Sequence, residues 1–331
     1  MSVPDKFLLV DADGAHARFA VIEAGEPPAT IEMIAAESLD ELIETLSEEL
    51  SKLGGPRLRG AAFSAPGPIF GKILKVTHAS LRLDKDVLSE RLGVADVRLV
   101  NDFTARAMAM PLLGPEALEQ IGGAPPKGQA PAAALGPSTG LGVSVLNPDG
   151  FVGWVATASE GGHAALAAAN AHEAAIIEHL RLANPYVSAD RVLSDAGLLE
   201  VAAAVAHLEG REPRTGGFGE LVAAGRAQDP SAREAFALFS GWLGAVSGDL
   251  ALVAGARSGV YIFSPMMLGW IDLFDRDLCR VRFEAKGRMD VYMKDIPLYL
   301  VLEADCGLLG LSTLYGVGRE GSTRGTPSAP S

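Results

Sequence analysis

One polar pair stands out as a place where this sequence could do chemistry. An apolar segment runs to Val100 and ends abruptly in Asn101 and Asp102, and a helical pattern begins at Thr104. A strand that presents polar side chains at its carboxyl end is where α/β proteins bind ligands and place catalytic groups. A carboxylate there can accept a proton from a hydroxyl group. Asp102 is therefore our candidate general base.

Two glycine-containing turns are candidate phosphate-binding elements. The first, Asp11–Gly14, lies between two strand-like segments, and the second, Gly136–Gly142, lies between two more. Glycine lets a backbone approach a phosphate group and point amide N–H groups at it. Most glycine turns are only turns, so neither carries the argument alone. Together with Asp102 and the segment Glu160–His163, however, they make a specific set of ligand-binding features.

A hydrolase is the alternative that the second turn suggests. Its residues Gly136–Gly140 match the nucleophile-elbow pattern G-x-S-x-G, with Ser138 at the centre. Asp190 or Asp195 and His207 could complete a triad. An elbow needs a helix directly after the turn. Here the residues after the turn alternate as in a strand, so we reject the hydrolase.

The composition excludes several classes of partner. The chain has 331 residues, 48% of them hydrophobic, and 38 glycines, which is enough for two domains of unequal size. Its formal net charge of −13 argues against nucleic acid and anionic membranes as partners, because both need a basic face. The cysteines, Cys279 and Cys306, fit a reducing compartment better than a disulfide framework.

No targeting or membrane segment is predicted. The N-terminus lacks a basic region followed by an apolar core, so it does not indicate a signal peptide. The most apolar long run, Phe239–Ala256, contains Asp249 and several glycines, which favours a packed helix over a membrane span. We therefore expect a cytoplasmic protein.

The order of the elements predicts an α/β fold. In residues 1–105 the pattern predicts one mixed sheet with strands at 7–10, 18–22, 30–36, 60–65, 72–77 and 97–100, and helices at 39–53 and 84–92. Later strands are predicted at 132–135, 143–146, 260–263 and 297–302, and helices at 171–182, 198–207, 218–227, 233–254 and 308–315.

Several segments, in this order, resemble the bacterial glucokinase family. They are Val100–Thr104 with Ala107–Pro111, Gly136–Gly142, Glu160–His163, Val187–Ser194, Glu284–Arg288, Ile296–Pro297 and Gly307–Gly310. The resemblance extends to about Gly316. Members of this family are ATP-dependent hexose kinases with a two-domain actin-like, ribonuclease-H-like sugar kinase fold and a central cleft.

The resemblance implies a division into domains. Residues 1–105 and 305–317 would form a small α/β domain, and residues 106–304 a large α/β domain. The composition of residues 318–331, rich in Gly, Ser, Thr and Pro, separately predicts a disordered tail. A homodimer is an expectation at the level of the family.

The resemblance also implies roles for individual residues. Asp102 would accept the proton of the sugar 6-hydroxyl. Contacts to glucose or a related hexose are expected from Asn101, Glu160, His163 and Asp190. Contacts to ATP are expected from Asp11, Asp13, Gly14, Ala15, Thr139 and Gly140, with Asp11 as a ligand of Mg²⁺. Asp190 departs from the family, which usually has glutamate there, and its carboxylate reaches about 1.5 Å less far.

The first glycine turn departs further. The family pattern D-x-G-G-T-N-x-R is here Asp11–Arg18, with Asp13, Ala15 and His16 in place of glycine, threonine and asparagine. A carboxylate about 4 Å from a phosphate oxygen would repel it by roughly 4 kcal/mol at a surface-like dielectric. A later glycine pair of the family, against which adenosine rests, is here Ser264–Pro265.

Three functions therefore stay open from the sequence. The first is a glucokinase that phosphorylates glucose with ATP to give glucose 6-phosphate. The second is a catalytically impaired sugar-binding sensor or regulator. The third is a kinase with a changed phosphoryl donor or hexose.

Overall fold

The computed structural model describes residues 5–77, 79–126, 128–151, 153–213 and 216–318. The strands are β1 (Lys6–Ala12), β2 (His16–Glu23), β3 (Glu32–Ala35), β4 (Leu58–Ala65), β5 (Ile69–Phe70), β6 (Ile73–Lys75), β7 (Arg82–Asp84), β8 (Asp96–Asn101), β9 (Leu118–Gln120), β10 (Ala132–Pro137), β11 (Leu141–Pro148), β12 (Trp154–Ser159), β13 (Val260–Phe263) and β14 (Leu298–Val301). The predicted disordered tail, 318–331, lies outside the described residues except for Gly318.

The helices lie among these strands, with several in succession between β12 and β13, and together they form the α/β fold that the sequence predicts. They are α1 (Leu39–Lys52), α2 (Lys85–Leu92), α3 (Asp102–Ala109), α4 (Ala171–Arg181), α5 (Ala189–Val192), α6 (Asp195–Leu208), α7 (Phe218–Arg226), α8 (Pro230–Ala254), α9 (Pro265–Leu268), α10 (Arg276–Glu284), α11 (Asp290–Lys294) and α12 (Cys306–Ser312).

The chain forms two compact units. The first comprises Met1–Leu113, Pro148–Ala156 and Asp305–Ser331, and the second comprises Gly114–Asn147 and Thr157–Ala304. The boundary predicted between residues 105 and 106 would cut α3. A side chain on Gly310 of α12 would overlap the carbonyl oxygen of Ala105, so these two helices pack backbone against backbone. The whole of α3 therefore belongs to the first unit, and the boundary lies after Leu113.

The first unit is built on a five-stranded sheet with the order β3-β2-β1-β4-β8. Strands β1, β4 and β8 run parallel, and β2 is antiparallel to both β1 and β3. Leu42, Ile43 and Leu46 of α1 lie in one core with this sheet, whereas Leu308 and Leu311 of α12 lie in another. The parallel strands thus bring their carboxyl ends to one edge.

One predicted strand does not join this sheet. The segment predicted as a strand at 72–77 contains β6, which pairs antiparallel with β5 and β7 in a separate three-stranded sheet. The prediction of one mixed sheet is wrong at this point, because short antiparallel neighbours on both sides take up the hydrogen bonds of β6.

The second sheet has six strands in the order β12-β11-β10-β13-β14-β9, and the second unit contains all of β10, β13, β14 and β9 and most of β11. Strands β10 and β11 form an antiparallel hairpin around residues 138–140, which confirms that no helix follows the G-x-S-x-G pattern. The sheet lies in one large core with α4, α6, α7, α8 and α10.

Helix α8 is the central helix of that core. Asp229 caps it by accepting the N–H of Ala232 at 3.0 Å, Pro230 opens it, and Gly255 ends it in a left-handed conformation. A side-chain carbon on Gly248 would lie 2.5 Å from the Phe283 carbonyl oxygen, so glycine allows α8 to approach α10 closely. Within the described residues it is the one helix long and apolar enough to cross a membrane, and 56% of its most apolar window is buried inside the protein. These contacts are those of a core helix.

Candidate functional site

The first unit gathers polar side chains at the carboxyl ends of its parallel strands. Asp11 of β1 pairs in register with Ser64 of β4, and Ala65 pairs with Asn101 of β8. The Ser64 hydroxyl donates to Asp11 Oδ1 at 2.6 Å. A side chain on Gly307 would overlap Asp11 Oδ2, so α12 begins directly against this carboxylate. Asp11 is held at the sheet edge from two sides.

Asp102, the candidate general base, begins α3 directly after β8. Its side chain is 11% exposed, and its Oδ2 accepts a hydrogen bond from Arg106 Nη1 at 2.5 Å. The two residues are four apart on the helix, which places them on the same face. Arg106 also lies over the Phe103 ring, 4.9 Å from its centroid, so the guanidinium is fixed by a ring and a carboxylate. Sequence reasoning missed Arg106, although its spacing from Asp102 was a usable signal.

Arg106 interacts electrostatically with two carboxylates, those of Asp102 and Asp11. Burial raises the pKa of Asp11, and the neighbouring Arg106 and the Ser64 hydrogen bond only partly offset that rise. Burial acts to lower the pKa of Arg106, but Asp102 and Asp11 together outweigh burial, so this pKa is raised. The Arg106 guanidinium therefore stays charged and offsets part of the cost of burying the Asp11 charge.

Asn101 holds the junction between β8 and α3. Its Oδ1 caps α3 by accepting the N–H groups of Phe103 at 3.0 Å and Thr104 at 3.2 Å. Its Nδ2 donates to the Gly67 carbonyl at 3.3 Å. The predicted sugar contact thus has a structural task as well, because the cap fixes where Asp102 leaves the strand.

In the first glycine turn, the Asp13 side chain folds back onto its own backbone. Asp13 Oδ1 accepts the N–H of Ala15 at 2.9 Å and that of His16 at 2.8 Å. Gly14 has φ +99°, a conformation that glycine adopts without strain. A carboxylate thus already occupies amide groups that the sequence assigned to a phosphate.

The second glycine turn connects β10 to β11. It is closed by a hydrogen bond from the Ser138 N–H to the Gly140 carbonyl at 2.8 Å, and Thr139 is exposed at its tip. The N–H of Leu141, just after the turn, donates to Asp190 Oδ1 at 2.7 Å. Like the first turn, it has an amide that donates to a carboxylate of the chain.

The remaining predicted sugar residues come together in the second unit. His163 Nε2 lies 3.8 Å from Glu160 Oε2, and His163 Nδ1 lies 3.6 Å from Asp190 Oδ2. The side chains of Glu160 and His163 are 67% and 62% exposed, so they are open to a ligand. Carboxylates and an imidazole suit a polyhydroxylated ligand, whose hydroxyls both donate and accept hydrogen bonds.

Ser264 and Pro265, which replace a glycine pair of the family pattern, fit their place in the fold. Ser264 Oγ donates to the Pro137 carbonyl at 2.6 Å and accepts the Met267 N–H at 3.3 Å, so it caps α9 and braces the end of β10. Pro265 is the first residue of α9, where the missing N–H has no helical partner to lose. Both replacements thus have a structural explanation.

The described residues supply one carboxylate suited to a nucleotide-bound metal ion. No cluster of three or more histidine, cysteine, aspartate or glutamate residues suited to a metal occurs among them. Mg²⁺ in phosphate-transfer sites usually takes only one or two carboxylates, with phosphate oxygens and water completing the shell. Asp11 fits that requirement, because it lies one residue before the end of β1, beside the first glycine turn.

The chain is similar to known glucokinases over nearly its whole length. A family model described as Glucokinase matches residues 8–316. The glucokinase of Nitrobacter hamburgensis is 38% identical over 309 residues, covering 92% of this chain and 95% of that protein. That of Chromobacterium violaceum is 37% identical over 306 residues, covering 92% of this chain and 88% of that protein.

Solved structures agree with that similarity. Glucokinase from an Antarctic psychrotroph superposes with a TM-score of 0.84 at 25% identity, covering 94% of this chain and 99% of that one. Balamuthia mandrillaris glucokinase, solved in complex with glucose, superposes with a TM-score of 0.79 at 19% identity, covering 94% and 93%. The two-domain sugar kinase fold is thereby confirmed, and the chain belongs to the glucokinase family.

Proposed function

We propose that the protein is a glucokinase, which transfers the γ-phosphoryl group of ATP to the 6-hydroxyl of glucose. The observation that carries the proposal is the arrangement of Asp102. This carboxylate is placed by a strand end and the Asn101 cap, and it is held by Arg106 at 2.5 Å. A base for a hydroxyl proton needs such a fixed position before it needs anything else.

The reaction assigns a task to each group of residues. The 6-hydroxyl oxygen forms a bond to the γ-phosphorus, its proton passes to Asp102, and ADP leaves. Asn101, Glu160, His163 and Asp190 are proposed to bind the sugar ring. Amides of the two glycine turns are proposed to hold phosphate oxygens, with Asp11 holding Mg²⁺. Bound Mg²⁺ would neutralise charge on the phosphates.

A sensitive assay of glucose-dependent ADP release tests this proposal on purified protein. We expect turnover that requires both glucose and ATP with Mg²⁺. An absence of ADP release at saturating ATP, Mg²⁺ and glucose would reject the proposed activity. A panel of other nucleotides, polyphosphate and hexoses then tests whether the donor or the acceptor has changed.

One observation favours a second candidate, a sugar-binding sensor or regulator with impaired catalysis. The Asp13 carboxylate accepts the Ala15 and His16 amides, so a donor phosphate meets an anion there. Calorimetry separates the two candidates. Glucose binding without ATP binding favours the sensor, whereas tight binding of ATP with Mg²⁺ removes its basis.

Location and assembly form the last part of the proposal. We place the protein in the cytoplasm because its substrates would be there, and we expect a homodimer on family grounds. Size-exclusion chromatography with light scattering tests the assembly, since a 34.4 kDa chain and its dimer differ twofold in mass.

A further inference from the structure

The Asp190 carboxylate divides its two oxygens between different neighbours. Oδ1 accepts the Leu141 N–H at 2.7 Å, and Oδ2 lies 3.6 Å from His163 Nδ1. Its side chain is 27% exposed, so this is a partly buried contact to a backbone amide. A charged acceptor makes such a hydrogen bond stronger than a neutral one. One oxygen thus serves the second glycine turn and the other faces the predicted sugar residues.

Glycine is needed in the turn because of this carboxylate. A side chain on Gly140 would overlap Asp190 Oδ1. Gly140 is not among the described glycines with positive φ, so backbone strain is not the reason for a glycine there. The absent side chain leaves the space through which Asp190 reaches the Leu141 amide.

The segment that carries Asp190 touches the turn at further points. Ser194 pairs with Ser138 in a parallel bridge, and the Asp195 N–H donates to the Ser138 carbonyl at 3.3 Å. Two residues of the turn region, Ser138 and Leu141, are therefore held by the stretch from Asp190 to Asp195. Because these contacts lie on both sides of the exposed tip, they fix the shape of the whole turn.

The other predicted sugar segment packs against the same place. A side chain on Gly162 would overlap the Leu141 carbonyl oxygen, so Glu160–His163 lies directly against that peptide group. The Ala189 N–H donates to the Ala164 carbonyl at 2.9 Å, and the Leu166 N–H donates to the Val187 carbonyl at 3.0 Å. The two predicted sugar segments and the turn are thus connected by hydrogen bonds and close packing within the second unit.

We infer that Asp190 is a positioning residue for the second glycine turn, and that it links sugar binding to nucleotide binding. The inference rests on the proposed function for the roles of the sugar segment and the turn. A sugar that binds to Asp190 Oδ2 also affects the position of Asp190 Oδ1. The position of Oδ1 in turn determines the orientation of the Leu141 amide. Asp190 therefore affects nucleotide affinity as well as sugar affinity. A residue that only contacts sugar would affect the sugar alone.

Two substitutions at Asp190 and one matched control test this inference. Asp190→Ala removes the acceptor, and Asp190→Asn keeps the size and an acceptor oxygen but loses the charge. The control is Glu160→Gln, which changes a carboxylate of the other proposed sugar segment that lies 3.8 Å from His163 Nε2. Calorimetry would measure glucose and Mg-ATP binding to each variant, and hydrogen exchange would follow the Leu141 amide without any need for turnover.

We expect Asp190→Ala to weaken both glucose and nucleotide binding about tenfold and to speed exchange of the Leu141 amide about tenfold. Asp190→Asn should change the same quantities in the same direction but less. Glu160→Gln should weaken glucose binding only. If Asp190→Ala does not fold, Asp190→Asn carries the test alone.

The outcome separates this inference from the proposed function. Normal Leu141 exchange and nucleotide binding in the Asp190 variants, with weakened glucose binding, would overturn the inference and leave the glucokinase intact. Faster Leu141 exchange in a protein that shows no turnover would support the positioning role and count against the proposed activity.

Discussion

The two glycine turns differ in the source of the carboxylate that accepts their backbone N–H groups. In each turn, backbone amides donate to a carboxylate of the chain itself. In the first turn, that carboxylate is Asp13, which lies inside the turn and is exposed to solvent. In the second, it is Asp190, which comes from 49 residues away and is partly buried. The first turn is thus self-contained, whereas the second depends on the segment of Asp190, a proposed sugar-binding segment, which packs against it.

The difference shows how each turn can respond to change. A local carboxylate competes with any incoming anion for the same N–H groups and can be removed by one substitution. A remote carboxylate couples two segments, because a movement of the segment that carries it also moves the turn. We therefore expect the first turn to set how tightly the donor binds, and the second to set how donor and sugar binding depend on each other.

The largest effect is expected from a residue that belongs to neither turn. Asp102→Asn removes the proposed proton acceptor and keeps an oxygen that can accept from Arg106, so turnover should fall by about 100- to 10,000-fold. Binding of glucose and Mg-ATP should stay nearly unchanged by calorimetry, because the amides of both turns are untouched. Asp96→Asn is the control, since Asp96 is an exposed carboxylate of β8 paired with Arg98. Equal losses in the two variants would remove Asp102 from the chemistry.

Alanine substitutions at the turn glycines should separate the two turns by their effect on stability. Gly14 has φ +99°, and a side-chain carbon there would lie 2.5 Å from Ala79 Cβ. Gly14→Ala should therefore lower the free energy of unfolding by roughly 1–3 kcal/mol. The atoms nearest to a side-chain carbon on Gly140 are those of the Asp190 carboxylate, which can move, so Gly140→Ala should lose less stability. Its main effect should be weaker ligand binding.

Urea unfolding of the two variants side by side measures this contrast. A loss of stability at Gly140→Ala as large as that at Gly14→Ala would show that both turns are limited by their backbone. The distinction between a self-contained turn and a dependent one would then be lost.

The sequence predicted those parts of the site that depend on chain order and local pattern. Asn101 and Asp102 do lie at a strand end, and both glycine turns do connect strands. The hydrogen bonds from the Ala15 and His16 N–H groups to the Asp13 side chain could also be predicted from the sequence, because aspartate often accepts N–H groups a few residues ahead. The contact of Asp190 with Leu141 could not, since it depends on how two distant segments pack.

Some elements were missed for a related reason. Helix α10 has few apolar positions, and in the structure Cys279 and Phe283 are its fully buried side chains. Its place is set by Arg282, which pairs with the buried Glu173 of α4, a contact across 109 residues. A periodic apolar pattern does not reveal a helix that has two buried apolar side chains and whose other contacts include a remote ion pair.

A smaller effect is expected from replacing Asp13 in the first turn. Asp13→Gly opens the amides of Ala15 and His16 and removes a negative charge, so the KM for ATP should fall about tenfold. A tenfold change in KM corresponds to much less free energy than the roughly 4 kcal/mol of unscreened repulsion between a carboxylate and a phosphate. The effect is smaller because the Asp13 carboxylate is exposed and solvent screens its charge. Asp13→Asn is the matched control, since it keeps an acceptor for the two amides without the charge. It should give an intermediate KM.

Steady-state kinetics at varied ATP and fixed glucose measures both variants. The KM for glucose should not change, because the Asp13 carboxylate accepts N–H groups of its own turn, those of Ala15 and His16. An unchanged KM for ATP in Asp13→Gly would show that the donor phosphates do not use these amides. The proposed role of the first turn would then fail, while that of the second would stand.

The smallest expected effect concerns Asp11, a feature for which the second turn has no counterpart, since β10 ends in Pro137. Burial raises the pKa of Asp11 above the ordinary 3.8, so its charge is unfavourable for folding at neutral pH. That cost is absent below pH 3.8 and is fully present above the folded pKa. Asp11→Asn, which keeps an acceptor for Ser64, should therefore raise the thermal unfolding midpoint at pH 7.

The gain should shrink as the pH falls through the folded pKa toward 3.8. Asp272→Asn is the opposite control in the second unit, because the Arg226 hydrogen bond lowers the pKa of Asp272, which stabilises the fold above pH 3.8. It should lower the midpoint at neutral pH and have no effect in acid. A lower midpoint for Asp11→Asn at pH 7 would mean that Arg106 stabilises the Asp11 charge by more than burial costs. In that case Asp11 and Arg106 would form a stabilising ion pair, and Asp11 would not be a carboxylate whose charge is retained for binding a ligand.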